Sequence, residues 1–129
     1  MSKMDYLAIN SIKMLALDMI NKAGSGHPGI VLGAAPIIYA LYKEHLDVIP
    51  SNPNWINRDR FVMSAGHGSA LLYSCLYHMG YNIEVEELKH FRQISSLTPG
   101  HPEVKVTPGV DVSTGPLGQG VGMDGGVGL

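Results

Sequence analysis

The first part of the chain carries a helical spacing of apolar residues. Between Asp5 and Ala23, apolar side chains recur at intervals of three, four and seven residues, which places them on one face of a helix. Gly24 follows at a position where helices commonly end. The pattern predicts a helix over residues 5–23. Its inward side chains are expected to be Ile9, Ile12, Ala16, Met19, Ile20 and Ala23.

A second apolar run predicts another helix, from Gly33 to His45. Pro36 is compatible with this helix if it lies in the first turn, because a proline there costs no hydrogen bond. The inward side chains of this helix are expected to be Ile37, Ile38, Leu41 and Tyr42.

Residues 61–80 have the pattern of a strand, a turn and a helix. Phe61–Met63 is a short apolar run that predicts a buried strand, and the glycine-rich residues 64–68 predict a turn. Helical spacing returns from Ser69 to Met79, and Gly80 is the expected end. A turn of this kind favours an α/β fold with an anion site, because backbone amides at a helix N-terminus lack partners. The inward face of this helix is expected to hold Leu71, Leu72, Cys75, Leu76 and Met79.

The rest of the chain is mostly loop in its composition. Residues 47–60 are rich in Pro and Asn, residues 85–92 predict a short charged helix, and residues 95–114 predict a long loop. The last segment, residues 115–129, holds seven glycines. Both a tightly packed helix and a frayed end are compatible with that composition.

Composition and charge restrict the partners of the chain. Charged residues are 16% of the 129, and the formal net charge is -2 without a basic stripe. Nucleic acid and anionic membranes therefore have no electrostatic reason to bind, and no apolar run is long enough to span a bilayer. A single cysteine, Cys75, and a start without a signal peptide lead us to expect one domain in the cytoplasm.

Three of the six histidines stand next to glycine in predicted loops: His27, His67 and His101. Glycine lets the backbone approach a ligand, and a neutral imidazole can donate and accept protons near pH 7. One such histidine alone would be read as a turn residue, whereas three in a short chain predict a cleft. The remaining histidines, His45, His78 and His90, fall in predicted helices.

Two other kinds of site are disfavoured by spacing. The three loop histidines are separated by 40 and 34 residues, without a second cysteine or a histidine pair at helical spacing, so a zinc site is not expected. Residues 115–120 contain a glycine run, but no apolar strand precedes it and Pro116 occupies the turn, which excludes a dinucleotide fingerprint. We therefore predict no metal ligand in this chain.

Four motifs together resemble the transketolase family. They are SGHPG at residues 25–29, RDRFVMSAGHG at 58–68, TPGHPE at 98–103 and TGPLGQG at 114–120. Each string alone is weakly specific, but the four occur in the family's order and approximate spacing across most of the chain. Dihydroxyacetone synthases share the paired loops, so they stay an alternative, as does a non-catalytic binding or assembly module of the same fold.

The resemblance implies a fold and a domain. Residues 1–129 would be the N-terminal part of the transketolase diphosphate-binding domain, with a partial parallel sheet flanked by helices. It implies thiamine diphosphate and Mg²⁺ as cofactors, sugar phosphates as substrates of the pentose phosphate pathway, and the remaining domains and a second subunit of a homodimer as partners.

The resemblance also assigns roles to residues. His27 and His101 are similar to the catalytic and substrate-binding histidines of the family, and His67 is similar to the one beside the cofactor diphosphate. Gly115, Pro116 and Leu117 match the loop that packs against the thiamine rings. The family's Gly-Asp-Gly metal motif does not occur before Leu129, so we expect this chain alone to lack the metal ligands and to be inactive. Residues 123–128 also depart from the family's alanine-rich helix.

Overall fold

Helix α3, Ser69–His78, forms the centre of the fold. In the computed structural model, which describes residues 1–127, every residue from Ser69 to Leu76 is buried. Helices α1, Lys3–Ala23, and α2, Pro28–Ala40, pack against α3 and against each other. The prediction of one inward face on α3 was therefore too narrow, because neighbours cover this helix on every side.

Helix α1 begins two residues before its predicted start and ends where predicted. Ser2 caps it reciprocally with Asp5: the Asp5 amide donates to Ser2 Oγ at 3.2 Å, and the Ser2 amide donates to Asp5 Oδ2 at 2.6 Å. Gly24 ends the helix with a left-handed φ of 63°. The predicted inward face is confirmed: Ile9, Ile12, Ala16 and Met19 are buried, and Ile20 and Ala23 pack against them half-buried.

Helix α2 differs from the prediction in its start and its inward face. It begins at Pro28 rather than Gly33, so Pro36 lies in its interior, and a π-helical turn, Leu41–His45, continues it. Proline at the first helical position is favoured, which explains the earlier start. Ile37 was expected inward but is 62% exposed, because it lies beside the buried row and not on it. The buried row is Val31, Ala35, Ile38 and Tyr42.

The predicted strand at Phe61–Met63 is not assigned in the described residues. No strand is assigned between residues 1 and 127, so the expected partial parallel sheet is not shown there. Side chains of the later loop bind this backbone instead. The Phe61 amide donates to Asp111 Oδ2 at 2.9 Å, and the Met63 carbonyl accepts from Thr114 Oγ1 at 2.7 Å. A strand needs the backbone of a neighbouring strand, and the described residues offer none to this segment.

Two short helices complete the described residues. Helix α4 is Val85–Lys89, three residues shorter than predicted, and Arg92 beyond it has a left-handed φ of 64°. The loops at residues 47–60 and 95–114 form no strand or α-helix, as predicted. Helix α5, Gln119–Val127, shows that the glycine-rich end is helical as far as it is described. Over the described residues, no helix is both long enough and apolar enough to cross a membrane.

Candidate cofactor site

The site begins at the N-terminus of α2, where His27 stands immediately before the helix. His27 is the cap residue, with extended backbone angles, and Pro28 is the first helical residue. No side chain caps this end of α2. The first amides of a helix have no partners within it, and the helix dipole makes this end positive.

The second half of the site is the N-terminus of α3. A single 3₁₀ turn, Gly66–Gly68, carries His67 and leads directly into Ser69. No side chain caps this helix either. The rings of His27 and His67 meet edge to face, with centroids 5.0 Å apart and an interplanar angle of 71°. Two helix N-termini without side-chain caps therefore lie beside a pair of imidazoles. At the α3 end the Gly68 and Ser69 amides already donate to the carbonyls of Ala65 and Gly66, so the start of α2 and the two imidazoles are the part of this arrangement suited to an anion.

Close packing against other loops fixes the turn that carries His67. A Cβ at Gly66 would lie 2.7 Å from the Thr114 carbonyl oxygen, and one at Gly68 would lie 2.6 Å from Met63 Cε. Thr114 also donates through Oγ1 to the Met63 carbonyl. The motif at residues 64–68 thus packs directly on the motif that starts at Thr114, although about 50 residues separate them in sequence.

The loop that carries His101 is held against the start of α3 by hydrogen bonds to its backbone. Ser69 Oγ donates to the Gly100 carbonyl at 2.7 Å, and Tyr73 Oη lies 3.1 Å from the His101 carbonyl and 2.8 Å from the Pro99 carbonyl. These contacts anchor the loop of residues 99–101 on the first turn of α3. In the described residues, the His101 ring makes no ring contact with the His27 and His67 pair.

The three histidine side chains are open to a ligand. His27 and His101 are exposed and His67 is half-buried, and within residues 1–127 none of the three makes a side-chain hydrogen bond. By contrast, the Nδ1 atoms of His78 and His90 lie 2.8 Å and 2.7 Å from the Ser74 and Glu86 carbonyls, one helical turn earlier in the chain. The ring nitrogens of the loop histidines are thus available to bind a ligand.

Gly115 lies beside His101 with space around it, and two exposed residues follow it. A Cβ placed on Gly115 would meet only His101 Cδ2, at 4.0 Å. Pro116 and Leu117 are exposed, and 76% of the Leu117 surface is accessible. Packing within the described residues does not require glycine at position 115, and the exposed side chain of Leu117, two residues further along the chain, is available to contact an organic ligand.

Comparison with known proteins decides the family. The family described as "Transketolase, thiamine diphosphate binding domain" matches residues 4–129. The chain belongs to the transketolase family. The chain is 57% identical over 120 residues to the transketolase of Aquifex aeolicus, which covers 93% of this chain and 17% of that protein. The transketolase of Bacillus subtilis is 54% identical over 123 residues, which covers 95% of this chain and 18% of that protein.

Solved transketolases have the same fold over this region. A Pichia stipitis transketolase in complex with sedoheptulose-7-phosphate superposes with a TM-score of 0.90 at 53% identity, covering 93% of this chain and 18% of that one. The Campylobacter jejuni transketolase gives a TM-score of 0.87 at 52% identity, and the match covers 94% of this chain and 19% of that one. The chain spans less than a fifth of the length of these relatives. The relatives named are transketolases, so the dihydroxyacetone synthase alternative is not favoured.

Several residues that position the candidate site were missed at the sequence level. Ser69, Tyr73 and Thr114 hold the loops together through hydrogen bonds to backbone carbonyls. Ser69 directly follows the motif at residues 58–68 and Thr114 opens the motif at residues 114–120, so proximity to these motifs was the available signal. Tyr73 had no such signal, since its partners lie 26 and 28 residues away.

The donor set fits thiamine diphosphate better than it fits a metal ion. Unengaged imidazoles and uncapped helix ends match a diphosphate and its proton chemistry. No group of three or more His, Cys, Asp or Glu side chains within residues 1–127 is placed to hold a metal ion.

Proposed function

We propose that this chain forms part of the thiamine diphosphate site of a transketolase, which transfers a two-carbon ketol unit from a ketose phosphate to an aldose phosphate. The observation that carries the proposal is the convergence of the α2 and α3 N-termini at His27 and His67, 5.0 Å apart. Two positive helix ends and two imidazoles favour a doubly ionised group such as a diphosphate.

His67 is the residue that we assign to the diphosphate. It is half-buried in the turn before α3, and Gly66 and Gly68 fix that turn by close packing. A fixed donor loses little entropy when it binds, so its hydrogen bond to an anionic oxygen is favoured. We assign the diphosphate to this place because the His67 ring meets His27 at the start of α2, which has no side-chain cap.

His27 and His101 are assigned to the substrate and to catalysis. Both are exposed, and neither makes a side-chain hydrogen bond within residues 1–127, so they can contact sugar hydroxyls and move protons. The bound cofactor supplies the carbanion that attacks a ketose carbonyl. The substrate class is taken from relatives: Pichia stipitis transketolases have been solved with sedoheptulose-7-phosphate and with fructose-6-phosphate.

Gly115, Pro116 and Leu117 are assigned to the thiamine rings. Gly115 leaves open space beside His101, and Leu117 is an exposed apolar side chain. A ring system placed there would cover Leu117 and contact the backbone at Gly115. The contact would remove apolar surface from water and hold the rings next to His101.

The remaining parts of the proposal concern the full-length protein. We place it in the cytoplasm, in the pentose phosphate pathway, as a homodimer that uses Mg²⁺. The ligands of that ion would come from the Gly-Asp-Gly motif that the family resemblance implies, which does not occur within residues 1–129. The run Phe61–Met63 would find its parallel strand partners outside the described residues as well, since none lies within residues 1–127.

The test is an assay of ketol transfer by the full-length enzyme that carries this chain. After the cofactor is removed, transfer from a ketose phosphate to an aldose phosphate should stop, and it should return when thiamine diphosphate and Mg²⁺ are added together. A protein that binds thiamine diphosphate but transfers no ketol unit would contradict the proposed activity. Such a result would favour the binding or assembly module.

A further inference from the structure

A second cleft lies between the loop of residues 53–60 and the loop of residues 104–111. It has a volume of about 560 Å³, and none of the three loop histidines lines it. Its ionisable side chains are Arg58, Arg60, Lys105 and Asp111. Three cations and one carboxylate give this lining a positive charge, in a chain whose formal net charge is -2.

Arg58 and Asp111 neutralise each other and serve the fold. Arg58 Nη2 forms an ion pair with Asp111 Oδ1, and both side chains are largely buried. The Asp111 carboxylate raises the pKa of Arg58. Arg58 Nε also donates to the Pro53 carbonyl at 2.5 Å, and Asp111 Oδ2 accepts from the Phe61 amide at 2.9 Å. This pair ties the two loops together and adds no net charge to the cleft.

Arg60 adds a positive charge that is not neutralised within residues 1–127. Its guanidinium donates to two neutral acceptors, the carbonyls of Arg58 and Ile56, the latter at 3.1 Å. No carboxylate within residues 1–127 forms an ion pair with Arg60. These two bonds hold the guanidinium in place and leave other N–H groups of its planar fork for a ligand, since the fork carries five donors.

Lys105 supplies the second uncompensated cation. It forms no ion pair with a described residue, and its backbone has a left-handed φ of 67°. Residues other than glycine rarely adopt this backbone conformation, and such backbone strain is found preferentially at functional sites. The neighbouring backbone is anchored, because the Val104 amide donates to Ser113 Oγ at 2.9 Å and the Val106 amide donates to the Glu103 carbonyl at 3.2 Å.

We propose that this cleft binds a small phosphate-bearing anion between Arg60 and Lys105. An arginine fork and a lysine ammonium are the usual partners of phosphate oxygens, and charge-assisted bonds to them are strong. The walls also carry apolar groups that suit the organic part of a phosphate ester. These groups are Pro53, Val104, Val106, Pro108 and Val110.

The test measures binding of two probes to the full-length enzyme loaded with thiamine diphosphate. Inorganic phosphate and phenyl phosphate are titrated by calorimetry into wild type, Lys105→Gln, Arg60→Lys and Lys3→Gln. Lys105→Gln should weaken binding at this site roughly tenfold or more, the effect of losing one charged hydrogen bond. Arg60→Lys keeps the charge but loses the fork, so it should weaken binding less. Lys3→Gln removes an equal charge from the start of α1, outside the cleft, and should leave binding unchanged.

If Lys105→Gln weakens the binding of inorganic phosphate and of phenyl phosphate equally, free phosphate is sufficient as the ligand. If wild type binds phenyl phosphate more tightly than inorganic phosphate, the site prefers a phosphate ester. Wild-type binding by Lys105→Gln, or no difference between it and Lys3→Gln, would overturn the proposed site. The readout is binding and not turnover, so failure of this site and failure of the transketolase activity can be told apart.

Discussion

At the scale of single residues, the histidines differ in what their rings already bind. The Nδ1 atoms of His78 and His90 are hydrogen-bonded to backbone carbonyls one turn earlier in the chain. His27, His67 and His101 make no side-chain hydrogen bond within residues 1–127. A ring that is already bonded helps to hold its helix, whereas an unbonded ring at a loop is available for chemistry.

The first residue-scale prediction compares His101 with His78. In the full-length enzyme, His101→Ala should lower kcat by roughly 100-fold or more, the usual effect of removing a positioned proton-transfer group. His78→Ala should leave kcat within about twofold of wild type, because its ring is bonded to the Ser74 carbonyl. Steady-state kinetics on both variants would decide, and similar losses in the two would show that this division of the histidines is wrong.

The second residue-scale prediction concerns Asp5 and acid stability. The ammonium of Lys43, 2.8 Å from Asp5 Oδ1, is the main cause of a strongly lowered pKa for this carboxylate, and the Ser2 amide and the Tyr39 hydroxyl lower the pKa further. Because the pKa is lowered in the folded state, the ionised carboxylate stabilises the fold fully at pH values above its unfolded pKa of about 3.9. This stabilisation is lost as the pH falls below that value and the carboxylate becomes protonated.

Thermal unfolding between pH 2 and pH 7 would measure this contribution. Wild type should have a higher Tm than Asp5→Asn near pH 6, and the difference should shrink as pH falls below about 4. Glu44→Gln is the matched control, since Glu44 contacts the same Lys43 at 3.2 Å on an exposed surface and should contribute little. A Tm difference that does not change with pH would rule out this linkage.

At the scale of elements, the glycines of α5 differ in the space around them. A Cβ at Gly125 would meet no atom within 4 Å, while one at Gly120 would lie 2.5 Å from Ser64 Cα. Gly120 is therefore required by close packing on the turn that precedes α3. Gly125 has no such requirement in the described residues, and a glycine inside a helix lowers its stability.

Substituting these two glycines separates packing from helix propensity. Gly125→Ala should stabilise the chain by about 0.8–1 kcal/mol, the difference in helix propensity between the two residues. Gly120→Ala should destabilise it by roughly 1–3 kcal/mol, since the methyl group would clash with the backbone at Ser64. Urea unfolding of both variants provides the comparison. Equal effects in either direction would contradict the proposed packing of α5.

The sequence was informative where an element depends on its own residues. The periodic stripe and Gly24 were sufficient for α1, because a cap and one buried face are local properties. The start of α2 differs from the prediction because the SGHPG motif predicts a loop at Pro28, which leaves Pro36 as the proline expected in the first turn; Pro28 occupies that position instead. The strand at Phe61–Met63 could not be judged locally, since a strand depends on a partner elsewhere.

The site was predictable in its parts but not in its assembly. The glycine-flanked histidines identified His27, His67 and His101 as candidates, and their roles remain predictions. The contact between Gly66 and Thr114 and the bond from Ser69 to the Gly100 carbonyl join segments that are 48 and 31 residues apart. No local pattern encodes such contacts, because they depend on how α1, α2 and the loops cover α3.

At the scale of the whole molecule, apolar side chains stay exposed on several elements. Helix α1 exposes Met4, Leu7 and Met14 to 70%, 53% and 58%, and helix α2 exposes Leu32 and Ile37 to 53% and 62%. Contiguous apolar surface of more than a few hundred Å² usually marks an interface. We therefore predict that the 129-residue chain alone self-associates in sedimentation velocity experiments. A monodisperse monomer with a sharp thermal transition would show that it is a self-sufficient domain.

The central claim is that the N-termini of α2 and α3 hold the cofactor's diphosphate beside His67. The most direct measurement titrates thiamine diphosphate and thiamine into cofactor-free, full-length enzyme, as wild type, His67→Ala and His90→Ala. His67→Ala should weaken thiamine diphosphate binding roughly tenfold while leaving thiamine binding unchanged, because only the diphosphate loses a charged hydrogen bond. His90→Ala should behave as wild type. Equal affinity of wild type and His67→Ala for thiamine diphosphate would contradict the claim.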